Sequence, residues 1–166
     1  TTHNDELDEA KKHHRAYLKA GDFDASISIQ LTEKLSESES ADTALVFIRK
    51  VRKDRMDDPT LLTKEVEVLL DAERNNAAIE VLDAAAEDIP EGVGPQLLLA
   101  KLFARAGAHD KSEAAYRTVL ERDPEVGEAL VPMARFVLAE IPELEVTIAT
   151  TSGRSALQEF EKDLAD

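Results

Sequence analysis

Leu97-Leu98-Leu99-Ala100-Lys101-Leu102-Phe103-Ala104-Arg105-Ala106-Gly107, followed by Ser112, Tyr116, Val119-Leu120 and Asp123-Pro124, is the stretch on which the fold is decided. Leu99 and Phe103 lie one helical turn apart, Gly107 can take the left-handed backbone that closes a helix, and Pro124 cannot continue one. The stretch therefore reads as two short helices joined by a tight turn. Moving through the chain in steps of 34 residues meets the same positions again. Leu31, Leu99 and Met133 form one such series; Thr32, Val66, Ala100 and Ala134 form another; Leu35, Leu69, Phe103 and Val137 a third. Ala44, Ala78 and Ser112, then Ile48, Leu82 and Tyr116, then Pro90 and Pro124, continue the pattern. A fixed period of this length marks a helical repeat, in which each unit buries its apolar side against the next. Such an array leaves an extended groove, so binding is expected before catalysis.

Composition supports that reading and narrows the partners. The chain has 166 residues, 43% hydrophobic and only 4% aromatic, with no Trp. Ala, Leu, Glu, Lys and Arg dominate, which favours helix. With no cysteine, disulfides and thiolate metal sites are excluded. No apolar run approaches the roughly 20 residues a membrane-spanning helix needs, and the start Thr1-Thr2-His3-Asn4-Asp5 does not resemble a signal peptide. The chain is expected to be soluble, with the cytoplasm as default compartment. A net charge of −15 opposes binding to nucleic acid or to an anionic membrane, since both demand a positive surface. The missing initiator Met suggests processing or excision from a longer polypeptide.

Nine helices are expected. The first runs over about 5–20 to Gly21, the second over 24–37, and the third over 42–55 with Ala44, Leu45, Ile48 and Val51 inward. Asp57-Asp58-Pro59-Thr60 stops one helix and opens the next, because proline is accepted in a first turn. Leu62, Val66 and Leu69 define the fourth, and Ala78, Leu82 and Ala85 the fifth. Pro90 and Gly92-Val93-Gly94-Pro95 break the chain before the sixth, Asp110 is expected to cap the seventh, and the eighth spans about 126–140 with Pro132 near its start. Short connections make consecutive helices antiparallel neighbours.

The segment from Leu97 to Pro124 resembles a tetratricopeptide repeat. Leu99 and Phe103 are the large residues of the first helix, Ala100 lets the second helix approach, Ser112 is the small residue facing back, and Tyr116 fills the space between the helices. Departures are visible: Gln96 and His109 stand where the family has larger apolar or aromatic residues. One step earlier Ala78, Leu82, Ala85 and Pro90 match, but Glu65 and Glu73 replace the Leu and Gly. One step earlier again Leu31, Thr32, Leu35, Ala44, Ile48 and Val51 match, while Met56 replaces the Pro. The resemblance covers about 24–138 and implies an all-α, right-handed superhelix of antiparallel helix pairs, a TPR-like α-solenoid. The repeat domain is placed at 5–140, with a non-repeat segment and capping helix at 141–166.

The resemblance also implies that the outward face of each first helix lines a concave groove. In the best repeat that face carries Leu97, Lys101, Ala104 and Arg105, and in the next Val131, Arg135 and Leu138. Lys101, Arg105 and Arg135 would form a basic spot able to hold a partner carboxylate, with Leu97, Val131 and Leu138 as apolar contacts. The plainer reading is a set of solvated charges or internal ion pairs. Upstream the same face reads Ser26, Ile29, Glu33, Thr60, Thr63, Glu67 and Asp71, acidic and polar. Some members of the family grip a chaperone C-terminus with Lys, Asn and Arg on consecutive first helices; Leu97 and Thr63 do not fit that clamp.

Other motifs carry less. The run Arg49, Lys50, Arg52, Lys53 and Arg55 suits a phosphate, but basic residues in a last turn also complement the helix dipole, beside Asp54, Asp57 and Asp58. His13 and His14 point about 100 degrees apart on a helix, and Glu9 with His13 makes too few ligands for a metal site. No catalytic constellation, cofactor site or metal site can be assembled by spacing. Residues 143–150 alternate like a strand before a small-residue turn at 151–155, but the expected reading of 144–152 is distorted helix or loop, and Leu157, Phe160 and Leu164 define a last helix that covers the end of the array. The expected function is a non-enzymatic adaptor or scaffold that binds a protein or peptide segment, with homodimerisation through its apolar edges as an option. The alternative is an accessory domain of a larger enzyme, such as a transferase.

Overall fold

The computed structural model describes residues 2–21, 23–90 and 92–139. Eight helices follow one another: α1 (Thr2–Ala20), α2 (Ala25–Ser38), α3 (Ala41–Arg52), α4 (Pro59–Asp71), α5 (Asn75–Asp88), α6 (Val93–Arg105), α7 (His109–Arg122) and α8 (Gly127–Ala139). Among the described residues there is no strand. The segment 144–152, expected as distorted helix or loop with a strand as the alternative, and the ninth helix with Leu157, Phe160 and Leu164 lie outside the described residues.

Local chemistry sets the helix boundaries. Asp24 caps α2 by accepting from the Ser26 amide, Ser40 caps α3 by accepting from the Thr43 amide at 3.1 Å, and Asp58 caps α4 through the Thr60 and Leu61 amides at 2.9 and 3.2 Å. Pro59 then occupies the first turn of α4, where its missing N–H is no loss. The same reason lets α6 begin at Val93, so Gly94 and Pro95 are part of that helix rather than a break before it. Asp110 does not cap α7; it lies in the first turn, and the helix opens at Ala108, whose carbonyl accepts from the Ser112 amide at 2.9 Å. The third helix stops at Arg52, short of the expected 55, because the Arg55 amide turns back onto the Arg52 carbonyl at 2.8 Å and the Arg55 guanidinium settles 3.9 Å from the Phe23 ring centroid.

Helices pair in sequence as α2 with α3, α4 with α5, and α6 with α7, and α2, α4 and α6 lie side by side as the first helices of successive units. This is an all-α solenoid of antiparallel helix pairs. Helix α1 leans on α2 as a leading half-unit, and α8 packs on α7 as the first helix of a further unit. The positions that recur every 34 residues are where the helices meet. Thr32, Val66 and Ala100 are fully buried, as are Ala44, Ala78 and Ser112, so small side chains hold the close crossings. Around them Leu31, Leu35, Leu62, Leu69, Leu82, Leu99 and Phe103 form one continuous core along the array. Each such aliphatic side chain contributes about 1.5–3 kcal/mol through burial. Ala100, Tyr116, Val119 and Ala129 make a smaller cluster that fastens α8 to α6 and α7.

Candidate functional site

Positions 33, 67, 101 and 135 are one repeat apart, so they occupy the same place on α2, α4, α6 and α8, and their residues run Glu33, Glu67, Lys101, Arg135. The face shared by the first helices thus changes sign along the array. Ion pairs stitch it across helix boundaries. Lys64 on α4 donates to Glu33 on α2 at 2.7 Å and pairs with Glu67 at 2.9 Å. Arg105 on α6 donates back to Glu67 at 3.3 Å, and Lys101 donates forward to Glu128 on α8. Burial, the largest single influence on Glu67, pushes its pKa up, but the bonds and charges of Lys64 and Arg105 outweigh it and hold the carboxyl below its ordinary value. Lys64 is likewise disfavoured by burial, yet Glu33 and Glu67 raise its pKa overall.

The six groove residues expected from sequence divide into three situations. Leu97 is half-buried and packs against the small cluster around Tyr116. Lys101 and Arg105 are about half exposed and diverge, one reaching toward α8 and the other toward α4, so they do not converge on one point. Arg135 is exposed and without an ion-pair partner among the described residues, between Val131 at 59% and Leu138 at 48% exposure. Helix α8 therefore presents a cation flanked by uncovered apolar side chains, a composition suited to a carboxylate-bearing partner segment.

Two members of the basic run, Arg49 and Arg52, are engaged within the molecule. Arg49 donates to Glu65 at 2.7 Å, Arg52 donates to the second oxygen of the same carboxylate, and both Arg52 and Glu65 are buried. The histidine pair separates as helix geometry requires: His13 is exposed beside Glu9 at 3.6 Å, whereas His14 is buried with Nε2 2.8 Å from Ser28 Oγ and its ring edge-on to Phe47. Burial first, and the charge of Arg55 second, keep the His14 imidazole below its ordinary pKa. Sequence reasoning missed this buried histidine; its spacing from Leu7 and Leu18 on α1 was the available signal. A hollow of about 400 Å³ lies beside it between α1 and α2, lined by Ala10, Tyr17, Ile27 and Leu31 among others. Among the described residues no group of His, Asp or Glu comes together to hold a metal ion, and no helix is long and apolar enough to cross a membrane.

No family profile matches the chain, and no curated protein matches it. Among solved structures it is similar to MamA AMB-1 in one crystal form, at 16% identity and a TM-score of 0.46, covering 96% of this chain and 86% of that one. It is similar to MamA AMB-1 in another crystal form at 16% identity and a TM-score of 0.45, covering 96% and 93% of the two chains. MamA MSR-1 gives 16% identity and a TM-score of 0.42, with 96% and 91% covered.

Proposed function

We propose that the chain is a non-enzymatic interaction module that binds a protein segment along the shared face of its first helices, with Leu97, Lys101, Arg105, Val131, Arg135 and Leu138 as the contacting residues. The observation that carries this reading is the composition of α8: Arg135 unpaired among the described residues, beside the exposed Val131 and Leu138. The ion pairs of Lys101 and Arg105 are solvent-exposed, so each contributes under about 1 kcal/mol and is readily exchanged for a carboxylate of the partner.

The test is a pull-down with the full chain, identification of the retained segment, and binding measurements on a variant carrying K101E, R105E and R135E together. Loss of at least ten-fold in affinity with unchanged helicity supports the site. Equal affinity discards it.

A further inference from the structure

A second furrow lies at the other end of the molecule. Lys11, Arg15 and Leu18 on α1 stand at positions i, i+4 and i+7, and Val46, Phe47 and Lys50 on α3 face them across a hollow of about 210 Å³. With Thr43 added to the α3 row, both rows run from i to i+7, so the furrow follows the helices for about 10 Å, two turns. Its base is formed by the buried Leu35, Val51 and His14, and its walls are apolar: Phe47 and Leu18 are partly exposed and Val46 is 70% exposed. Its rim is cationic. Lys11 is tied to Glu39 at 2.5 Å and to Asp8 at 3.7 Å, but Arg15 and Lys50 have no ion-pair partner among the described residues. Many other basic side chains of this strongly acidic chain are neutralised, as Lys34 is by Glu37, Arg74 by Asp42, Lys111 by Asp83 and Arg117 by Glu113; Arg15 and Lys50 differ in facing one another across an apolar hollow.

We infer that the α1–α3 furrow is a docking site for an acidic amphipathic helix of a partner protein, its apolar stripe seated on Val46, Phe47 and Leu18 and its carboxylates on Arg15 and Lys50. Charge complementarity selects this occupant. A basic segment would be repelled at the rim, and a net charge of −15 opposes approach to an anionic membrane. An apolar hollow between two cations matches a helix with leucines at i, i+3, i+4 and i+7 flanked by glutamates. The furrow is formed by α1 and α3 with Leu35 of α2 at its base, whereas the contacting residues proposed above lie on α6 and α8, so the two sites share no residue.

The experiment uses the full chain and a fluorescein-labelled 14-residue peptide with that leucine pattern and glutamates elsewhere, read by anisotropy, beside a twin with lysines for the glutamates. The acidic peptide is expected to bind, to weaken as salt rises, and to lose at least ten-fold in affinity to an R15E/K50E variant and to V46D, each with unchanged circular dichroism. The K101E/R105E/R135E variant should bind it as the parent does, which separates this site from the groove proposed above. Equal binding of both peptides, no binding of either, an undiminished affinity in R15E/K50E, or binding to phosphatidylserine vesicles in place of the peptide would overturn the inference.

Discussion

The units α4–α5 and α6–α7 share one backbone plan and carry different residues at three equivalent points. Where α6 buries Leu99, α4 buries Glu65; where the second unit turns at Gly107, the first turns at Glu73; where α7 has Ser112, α5 has Ala78. The turns are hydrogen-bonded alike. The Glu73 and Arg74 amides reach the Leu70 and Leu69 carbonyls at 2.9 and 2.8 Å, and the Gly107 and Ala108 amides reach Ala104 and Phe103 at 3.1 and 2.9 Å. Both are helix-ending loops with a left-handed residue, φ 58° at Glu73 and 82° at Gly107. The comparison teaches that packing between units dictates the path of the chain, even where the residue at the turn opposes it.

The buried carboxylate offers the largest way to break the parallel. Glu65 is tolerated in a leucine position because Arg52 and Arg49 of the preceding unit hold both its oxygens. Arg52→Ala leaves the charge buried with one exposed partner, and urea unfolding should show a loss of about 3–5 kcal/mol. Arg52→Leu with Glu65→Leu restores the apolar pattern of the neighbouring unit and should recover most of that loss. A double variant as unstable as the single one would show that the ion pair does not substitute for an apolar contact.

The turns come next. Nothing lies within 4 Å of a side chain added at Gly107, so Gly107→Ala should cost only the left-handed backbone, about 1–2 kcal/mol. Glu73→Gly should stabilise by up to about 1 kcal/mol by relieving the same penalty, partly offset by the greater freedom of glycine when unfolded. Thermal melts of both variants check the pair; a destabilised Glu73→Gly would mean that the Glu73 side chain holds the turn. Smaller again is Ser112→Ala, which removes the buried bond to the Ala100 carbonyl at 2.8 Å and makes the unit resemble its neighbour at Ala78. A loss of about 1 kcal/mol is expected in chemical denaturation.

Helix α1 extends the comparison to a unit held by less of the core. His14 has a folded pKa below its reference value of 6.5, so the unfolded helix takes up the proton more readily. The contribution of His14 is complete at pH values above 6.5 and is lost as pH falls below it, which should appear as faster amide exchange in α1 at pH 5.5 than at 7.5 after correction for intrinsic rates. Exchange in α6 should change less. His14→Gln, which keeps a group able to bond Ser28, should flatten the dependence in α1.

Much of this was legible in the sequence because a repeat announces its core by its interval. The 34-residue step located Leu99, Phe103, Ala100 and Tyr116 correctly, and it marked Glu65 and Glu73 as departures. It could not show that Glu65 is answered by Arg52, since the two are 13 residues apart on helices of different units and their pairing depends on how α3 lies on α4. Lys101 and Arg105 are one helical turn apart on α6, yet their separate reach toward Glu128 and Glu67 is set by the neighbouring helices rather than by their own spacing. The furrow between α1 and α3 was hidden for the same reason. Lys50 stood inside a basic run that helix-dipole arguments explained, and only the fold puts it opposite Arg15.

The direct test of the proposed binding face is a backbone amide NMR titration of the full chain with the protein segment it retains. Shifts concentrated on α6 and α8 around Lys101, Arg105 and Arg135, and absent from the K101E/R105E/R135E variant, are the predicted result. Shifts confined to the second helices α5 and α7, with the first helices silent, would contradict it.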